Sequence, residues 1–385
     1  MSAKFKLSLT RWSGIVLVLV LVLLVFTVYG RFSRQTDTKR TAQLLGPHQL
    51  AAFKHIPGEP ELQQLVLVWV EGDEINIQSL GEAYDFEVSN DGKYIAYFGD
   101  NGLYIVSTTG EKAEKVSDLS PKFDLNSDQI RVINKVLAWS PDNTRLAFVC
   151  GGDLYQVNIT DGKPAKLLAR RSPDQLTTKE GAEALAPRID GIVCPDWVDN
   201  NTLIYQDFYR IFNGEWKYVC NIMKVNSDGS GKQTVIGNGQ EPVISPDKGR
   251  ILFHRNDNLG GKIMLAPVDS SEEPKAVTSF TDANREPMNY SWSQDGKYVI
   301  FDGFVIDPEG KRQSVFTGEP AQDIKYSGGE SNQVPSSSPD GKWIIFSASL
   351  GPKLVRVKDG NFEYDSSKAL DPLNDLNHIR WVKGK

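Results

Sequence analysis

The residues best equipped for chemistry are few. This 385-residue chain has four histidines, His48, His55, His254 and His378, and three cysteines, Cys150, Cys194 and Cys220. Histidine is the common zinc ligand and the common general base. Here two histidines sit in a polar stretch near the front, and the other two are 124 positions apart. A histidine-rich metal site is not expected, and His254, directly after Phe253, reads as an ordinary strand residue. No Gly-X-Ser-X-Gly nucleophile elbow occurs. Gly229-Ser230-Gly231-Lys232 has the flavour of a phosphate loop, but it lacks the glycine four residues earlier and lies in a turn. In an oxidising compartment two of the three cysteines would pair and one would be left over; three buried small apolar side chains is the alternative. No catalytic residue, metal or cofactor follows from these residue types.

The stretch with the most recognition chemistry is "LIYQDFYRIFNGEWKYVCNIMKV", residues 203–225. A two-residue turn at Asn213-Gly214 would pair Phe212 with Glu215, Ile211 with Trp216, Arg210 with Lys217 and Tyr209 with Tyr218. Side chains alternate across such a ribbon, so Tyr209, Ile211, Trp216 and Tyr218 would gather on one face, and Arg210, Phe212, Glu215 and Lys217 on the other. An aromatic face of this kind either packs on its own fold or docks a partner, since Trp and Tyr are favoured anchors. These four residues are the candidate binding site.

What must position that hairpin is a repeat. "VSNDGKYIAYF" (88–98), "WSPDNTRLAF" (139–148), "WVDNNTLIY" (197–205), "ISPDKGRILF" (244–253), "WSQDGKYVIF" (292–301) and "SSPDGKWIIF" (337–346) share one pattern. An apolar stretch reaches Ser-X-Asp-Gly or a relative of it, and a strand-like run ending in an aromatic follows. Asp-Gly between β-prone runs is a hairpin signal, because glycine supplies the positive φ that the turn needs. The turn residues Asp91, Asp142, Asn200, Asp247, Asp295 and Asp340 are spaced by 51, 58, 47, 48 and 45. Later turn signals such as "TTGEK", "TDGKP" and "SDGSGK" leave room for two more strands in each period. A strand-built period near 45 residues is the mark of a β-propeller with four-stranded blades.

The repeat resembles the TolB-type, WD-like propeller family. Ser338-Pro339-Asp340-Gly341-Lys342 and Asp228-Gly229-Ser230-Gly231-Lys232 carry the likeness. It runs over most of the chain after about residue 62, and the third repeat departs from it with Trp197-Val198-Asp199-Asn200. The resemblance implies the fold and protein–protein contacts at the cell envelope; this kind of scaffold also serves enzymes.

The fold expected is therefore all-β: a propeller over 62–385. Six whole repeats are joined by a composite blade, in which the last strand ("HIRWVKGK", 378–385) joins the hairpin at 65–78 and closes the ring. That makes seven blades, with six, outer strands supplied by the termini, as the alternative.

Ahead of it, "GIVLVLVLVLLVFTVYG" (14–30) is uncharged and about long enough to cross a bilayer core once Trp12 and Ser13 are counted. Tyr29 and Arg31 make its exit a poor signal-peptidase site, so an uncleaved signal anchor over 13–30 is read in preference to a cleaved signal. Residues 1–12 become a short basic cytoplasmic tail, 31–61 a linker outside the propeller, and the propeller extracytoplasmic. A net charge of −6 and the lack of a basic tract exclude nucleic-acid binding. The reading is a membrane-anchored, non-catalytic binding or scaffold module with protein partners at the envelope and the bilayer held through 13–30. The rivals are a propeller enzyme, a lyase or a glycan-processing one, and a small-ligand sensor, each with its site at the channel mouth.

Overall fold

The computed structural model describes residues 38–382 apart from 40, 44, 57–58, 120–134, 174, 177–190, 213–215, 258–259, 279–289, 302–303, 308–311, 315–334, 347–351, 359–360, 365–372 and 374. Within it seven sheets of antiparallel strands follow one another around a ring.

Blade 1 is β4 (Asp85–Val88), β5 (Tyr94–Gly99), β6 (Gly102–Ser107) and β7 (Glu114–Ser117); blade 2 is β8 (Leu137–Trp139), β9 (Arg145–Cys150), β10 (Asp153–Asn158) and β11 (Lys166–Ala169). Blade 3 holds β13 (Ile192–Trp197), β14 (Thr202–Phe212), β15 (Trp216–Asn226) and β16 (Gln233–Gly237), with a two-residue fifth strand, β12 (Gln175–Leu176), running parallel beside the outer end of β14. Blade 4 is β17 (Gln240–Ile244), β18 (Arg250–Asp257), β19 (Gly260–Pro267) and β20 (Lys275–Ala276); blade 5 is β21 (Tyr290–Trp292), β22 (Val299–Phe301), β23 (Phe304–Ile306) and β24 (Arg312–Ser314). Blade 6 is β25 (Ser336–Ser337), β26 (Trp343–Phe346), β27 (Lys353–Lys358) and β28 (Asn361–Tyr364). In blade 7 the order is β29 (Leu376–Val382), β1 (Gln49–Ile56), β2 (Glu59–Glu71) and β3 (Glu74–Ala83), so the two ends of the chain share one sheet.

The repeated Ser-X-Asp phrase is a hydrogen-bonded turn. Ser140 Oγ donates to Asp142 Oδ1 at 2.6 Å and accepts the Arg145 N–H at 3.0 Å, while the same carboxylate oxygen accepts the Thr144 N–H at 3.1 Å. The serine–aspartate bond recurs at Ser89–Asp91, Ser245–Asp247, Ser293–Asp295 and Ser338–Asp340. The residue directly after the aspartate takes positive φ where it is Gly92, Gly296 or Gly341, and Asn143 and Lys248 take the same conformation without glycine's freedom. The aspartates therefore serve their own turns. Asp340 is held down to about 2: burial pushes it up, and the bonds from Ser338, the Lys342 amide and His48 outweigh burial.

A second repeated device joins blades. The innermost-strand tryptophan donates its indole N–H to a carbonyl of the preceding blade's innermost strand: Trp139 to Glu87 at 3.0 Å, Trp197 to Ala138 at 3.1 Å, Trp292 to Val243 at 3.3 Å and Trp381 to Ser336 at 3.1 Å. Each bond satisfies a carbonyl that has no further strand on that side. Between blades lie the apolar cores, such as Phe98, Phe148, Trp197 and Tyr205, and Leu50, Val66, Ile345 and Trp381.

The stretch read as a linker over 31–61 needs correction. Residues 41–43 and 45 are helical, Gly46 at φ +56 ends that turn with its N–H on the Ala42 carbonyl, and β1 follows from Gln49. β1 stands between β29 and the hairpin that the sequence paired directly, with Leu50 opposite Trp381 on one side and Val68 on the other. Leu50, Ala51 and Ala52 are fully buried, so both faces of β1 are covered. A strand covered on both faces lacks the alternation that marks a half-exposed one. The anchor assigned to 13–30 lies outside the described residues; among the described residues no helix is long and apolar enough to cross a membrane.

Candidate functional site

The innermost strands β29, β4, β8, β13 and β17 abut in that order, and β21 and β25 complete the ring through the Trp292 indole, which donates to the Val243 carbonyl of β17, and the Ser291 hydroxyl, which donates to the Pro335 carbonyl. They surround a central channel with a cavity of about 250 Å³. Every blade contributes to its wall: Glu87, Lys135, Cys194, Glu241, Ser291, Ser336 and Arg380, in blade order.

Three of these strands share a distortion. In β13 Val193 pairs Gln206 and Asp196 pairs Ile204; in β17 Gln240 pairs His254 and Val243 pairs Leu252; in β29 Asn377 pairs Phe53 and Arg380 pairs Ala51. Each innermost strand thus carries one residue more than its partner, a β-bulge. The second residue of each bulge is Cys194 (φ +51), Glu241 (φ +51) or His378 (φ +48). None is glycine, and the left-handed region costs an L-residue about 1–2 kcal/mol.

Neighbouring blades hold each bulge. Cys194 donates its N–H to the Lys135 carbonyl at 3.0 Å. Glu241 gives its N–H to Gln206 Oε1 at 2.8 Å and takes the Tyr290 hydroxyl on its carbonyl at 2.5 Å. His378 sits against the rings of Phe53 and Phe86, with centroids 5.5 and 5.1 Å away. Strain that the surroundings over-determine in this way gathers at functional sites.

The charges follow the ring. Lys135 Nζ is 3.3 Å from Asp196 Oδ1, and that carboxylate also accepts the Trp197 and Ile244 amides at 2.9 and 3.0 Å, so Asp196 ties blades 2, 3 and 4. Burial pushes the Lys135 ammonium down, and Asp196 with Glu87 more than restores it, leaving it above its ordinary value. Burial raises Glu87 against the pull of Arg380 and Lys135. Burial and then the Glu87 charge push Asp85 up to about 7, and burial with the nearby Arg380 holds His378 well below the usual imidazole range. His378 Nε2 lies 3.7 Å from Asp85 Oδ1. The distance alone would suggest an ion pair; burial of both groups makes it a neutral acid beside a neutral imidazole near pH 6. The Cys194 thiol is raised far above its ordinary value, by burial first, and is a poor nucleophile.

The hairpin residues proposed from sequence are not brought together. The strands pair in another register: Phe212 is opposite Trp216, Ile211 opposite Lys217, Arg210 opposite Tyr218 and Tyr209 opposite Val219, while the tip at 213–215 lies outside the described residues. A shift of one residue moves one strand's whole set to the other face. Positions 209 and 211 therefore share a side with 217 and 219, and positions 216 and 218 share the other with 210 and 208. Tyr218 is 51 % exposed and stacks on Phe208 at 5.6 Å; Tyr209 and Ile211 are half-buried.

The channel residues Glu87, Lys135, Glu241 and Arg380, and Asp85 and Asp196 beside them, escaped the sequence reading, which weighed His378 singly and Cys194 for a disulfide or as a buried small apolar side chain. A signal was present. Counted back from Val88, Trp197 and Ile244, which close their innermost strands, and from Trp381, next to last in β29, the positions one and three earlier are Glu87 and Asp85, Asp196 and Cys194, Val243 and Glu241, Arg380 and His378. Glu87, Cys194, Val243, Glu241 and Arg380 of these line the channel cavity. No disulfide joins Cys150, Cys194 and Cys220. Among the described residues no group of three or more His, Cys, Asp and Glu is placed to hold a metal ion.

No family model matches the sequence, and no curated protein matches it. Solved structures do. TolB from Acinetobacter baumannii is 12 % identical with a TM-score of 0.45, over 87 % of this chain and 66 % of that one, so the chain spans about two thirds of that protein's length. An oligogalacturonate lyase from Vibrio parahaemolyticus is 11 % identical with a TM-score of 0.52, over 81 % of this chain and 92 % of that one. At this identity the likeness to the lyase structure bears on the fold alone.

Proposed function

We propose that this is a membrane-tethered, non-catalytic binding propeller of the TolB type. It stands on the extracytoplasmic side of the cell membrane and takes a protruding group of a protein partner into its central channel. The observation that carries the reading is the channel itself. Its volume of about 250 Å³ falls below the ~300–1,000 Å³ of pockets that engulf a whole small molecule. It suits a side chain or chain terminus. Its wall carries both signs of charge, which sets orientation and rejects wrong partners more than it adds affinity. The uncharged run 14–30 supports the tether.

The test uses the full chain in its membrane, with a photo-crosslinking amino acid at Ser291 in the channel wall or at Lys112 on the outer edge of blade 1. A discrete protein adduct from position 291, lost with Arg380→Ala, is expected. Adducts that form only from position 112, or that ignore Arg380, would count against the channel.

One observation favours an enzyme as second reading: His378, Asp85 and Arg380 converge on one side of the channel. In an enzyme His378→Ala abolishes turnover and leaves capture intact; a binding module captures its partner and turns nothing over, with or without His378.

A further inference from the structure

The anchor reading proposed above acquires a direction from the fold. Propeller strands alternate in direction, so the turns between first and second strands and between third and fourth strands lie on one face of the disc. The turns between second and third strands lie on the other. The Ser-X-Asp turns belong to the first face; the turns at Asp100–Asn101 and Gly151–Gly152 belong to the second.

Both ends of the described chain are at the first face. Gln49, the first residue of β1, pairs Val382, the last of β29. Ahead of Gln49, His48 Nε2 lies 3.3 Å from Asp340 Oδ2 in the blade 6 turn, and the His48 ring meets Trp381 edge-on at 5.5 Å. Lys39 Nζ reaches Asp73 Oδ2, in the turn between the third and fourth strands of blade 7, at 2.9 Å. Leu45 is fully buried in the core between blades 6 and 7, and Thr41 and Ala42 are buried beside it. The segment from Thr38 to His48 is thus fastened at three points to the face of the Ser-X-Asp turns.

Only residues 31–37 separate Thr38 from the apolar run. Seven residues span at most about 25 Å when fully extended. Lys39 is held at the outer strands of blade 7, and from there the way to the opposite face runs along β3, ten residues and about 33 Å long.

We infer that the Ser-X-Asp face is held against the lipid surface and that the opposite face, where the innermost strands begin and the β14–β15 hairpin ends, is presented to partners. This rests on the anchor reading. The chemistry of the near face fits a surface held close by its tether and not by adhesion. Its cations sit beside their own aspartates: Lys93 with Asp91 at 3.3 Å, Lys163 with Asp161 at 3.5 Å, Lys297 with Asp295 at 3.2 Å and Lys342 with Asp340 at 3.5 Å. Such a mosaic has no large single-sign field to bind anionic headgroups.

The full chain, reconstituted into phosphatidylcholine vesicles doped with a lipid bearing a headgroup diazirine, is floated on a gradient, irradiated and digested. Flotation tests the anchor, and the labelled peptides test the face. Labels concentrated several-fold in peptides covering 71–74, 90–93, 161–163 and 339–342, over those covering 99–102 and 150–153, are expected. Flotation with the opposite distribution, or with equal labelling of both faces, overturns the orientation and leaves the anchor standing. Failure to float overturns both.

Discussion

His378, on the strand that closes the ring, and Asp85, on the first strand of blade 1, face each other at 3.7 Å, and burial keeps both neutral near pH 6. Their contributions to stability run in opposite directions. Asp85 titrates at about 7 in the fold against 3.8 in the unfolded chain, so the native state holds a proton that the unfolded state has lost. Its contribution is complete below about pH 4 and is lost as the pH rises to 7. The shift of about 3 pH units corresponds to at most about 4 kcal/mol. His378, whose folded value is depressed, loses stability as the pH falls below 6.5, because only the unfolded chain takes up the proton.

Asp85→Asn removes the first slope and leaves the second. Urea titrations of the variant at pH 5 and pH 8 should show stability rising with pH, with the difference from wild type moving in the variant's favour by up to about 3 kcal/mol, since part of the Asp85 contribution is already lost at pH 5. Parallel pH profiles would mean that Asp85 is ionised in the native state.

The indole bonds between blades should be separable from tryptophan packing. Trp197→Phe and Trp381→Phe keep a ring and leave the Ala138 and Ser336 carbonyls without their donor. Each should cost about 1–3 kcal/mol in chemical denaturation. Trp343→Phe, outside the innermost strands, serves as control and should stay within about 0.5 kcal/mol.

Ser140 is fully buried and serves two bonds at once. Ser140→Ala should cost about 1–3 kcal/mol, and Asp142→Ala in the same background should add less than it does alone, since the two residues share one network. A double-mutant cycle measures the coupling; strict additivity would show two independent interactions.

The bulge at Glu241 predicts an unusual ranking. Glu241→Gly should melt within about 1 kcal/mol of wild type, because glycine enters the left-handed region freely and this offsets its larger entropy loss. Glu241→Val, β-branched at φ +51, should lose about 1–3 kcal/mol. A valine variant as stable as the glycine one would mean that the bulge relaxes in solution.

Removal of 376–385 deletes β29. β1 then loses the partner it pairs from Gln49 to Lys54, and blade 6 loses the indole bond to Ser336. Loss of the cooperative transition, or aggregation through the exposed edge, is expected by calorimetry and light scattering. A wild-type melt would show that the ring does not depend on its composite blade.

Much of this protein was decided within short stretches of chain. The turn at Ser140 closes through partners no more than five residues away, so its bonds form wherever the phrase occurs, and the phrase marks five of the seven blades. The same locality explains the strands on either side of each Asp-Gly. It failed at the tip of the long hairpin. Asn213-Gly214 fits a two-residue turn on its own chemistry, yet 11 consecutive pairs from Thr202–Asn226 to Phe212–Trp216 set a register that leaves three residues for the loop. Pairing summed along two long strands outweighs the preference of one dipeptide.

Only the tertiary structure decided the rest. β1 is a strand because Val382, more than 300 residues away in sequence, lies beside Gln49; its own residues, with three consecutive positions buried, carry no period for a strand to be read from. The channel is the same kind of outcome. Glu87, Lys135, Asp196, Glu241 and Arg380 are unremarked polar residues in their own repeats. They act on one another after closure brings seven strand edges around one axis and removes the water between them. Burial then raises Asp85, lowers His378 and joins Lys135 to Asp196. A sequence specifies hydrogen bonds that span a few residues directly, but the desolvation and charge pairing of the channel exist only once the ring has closed.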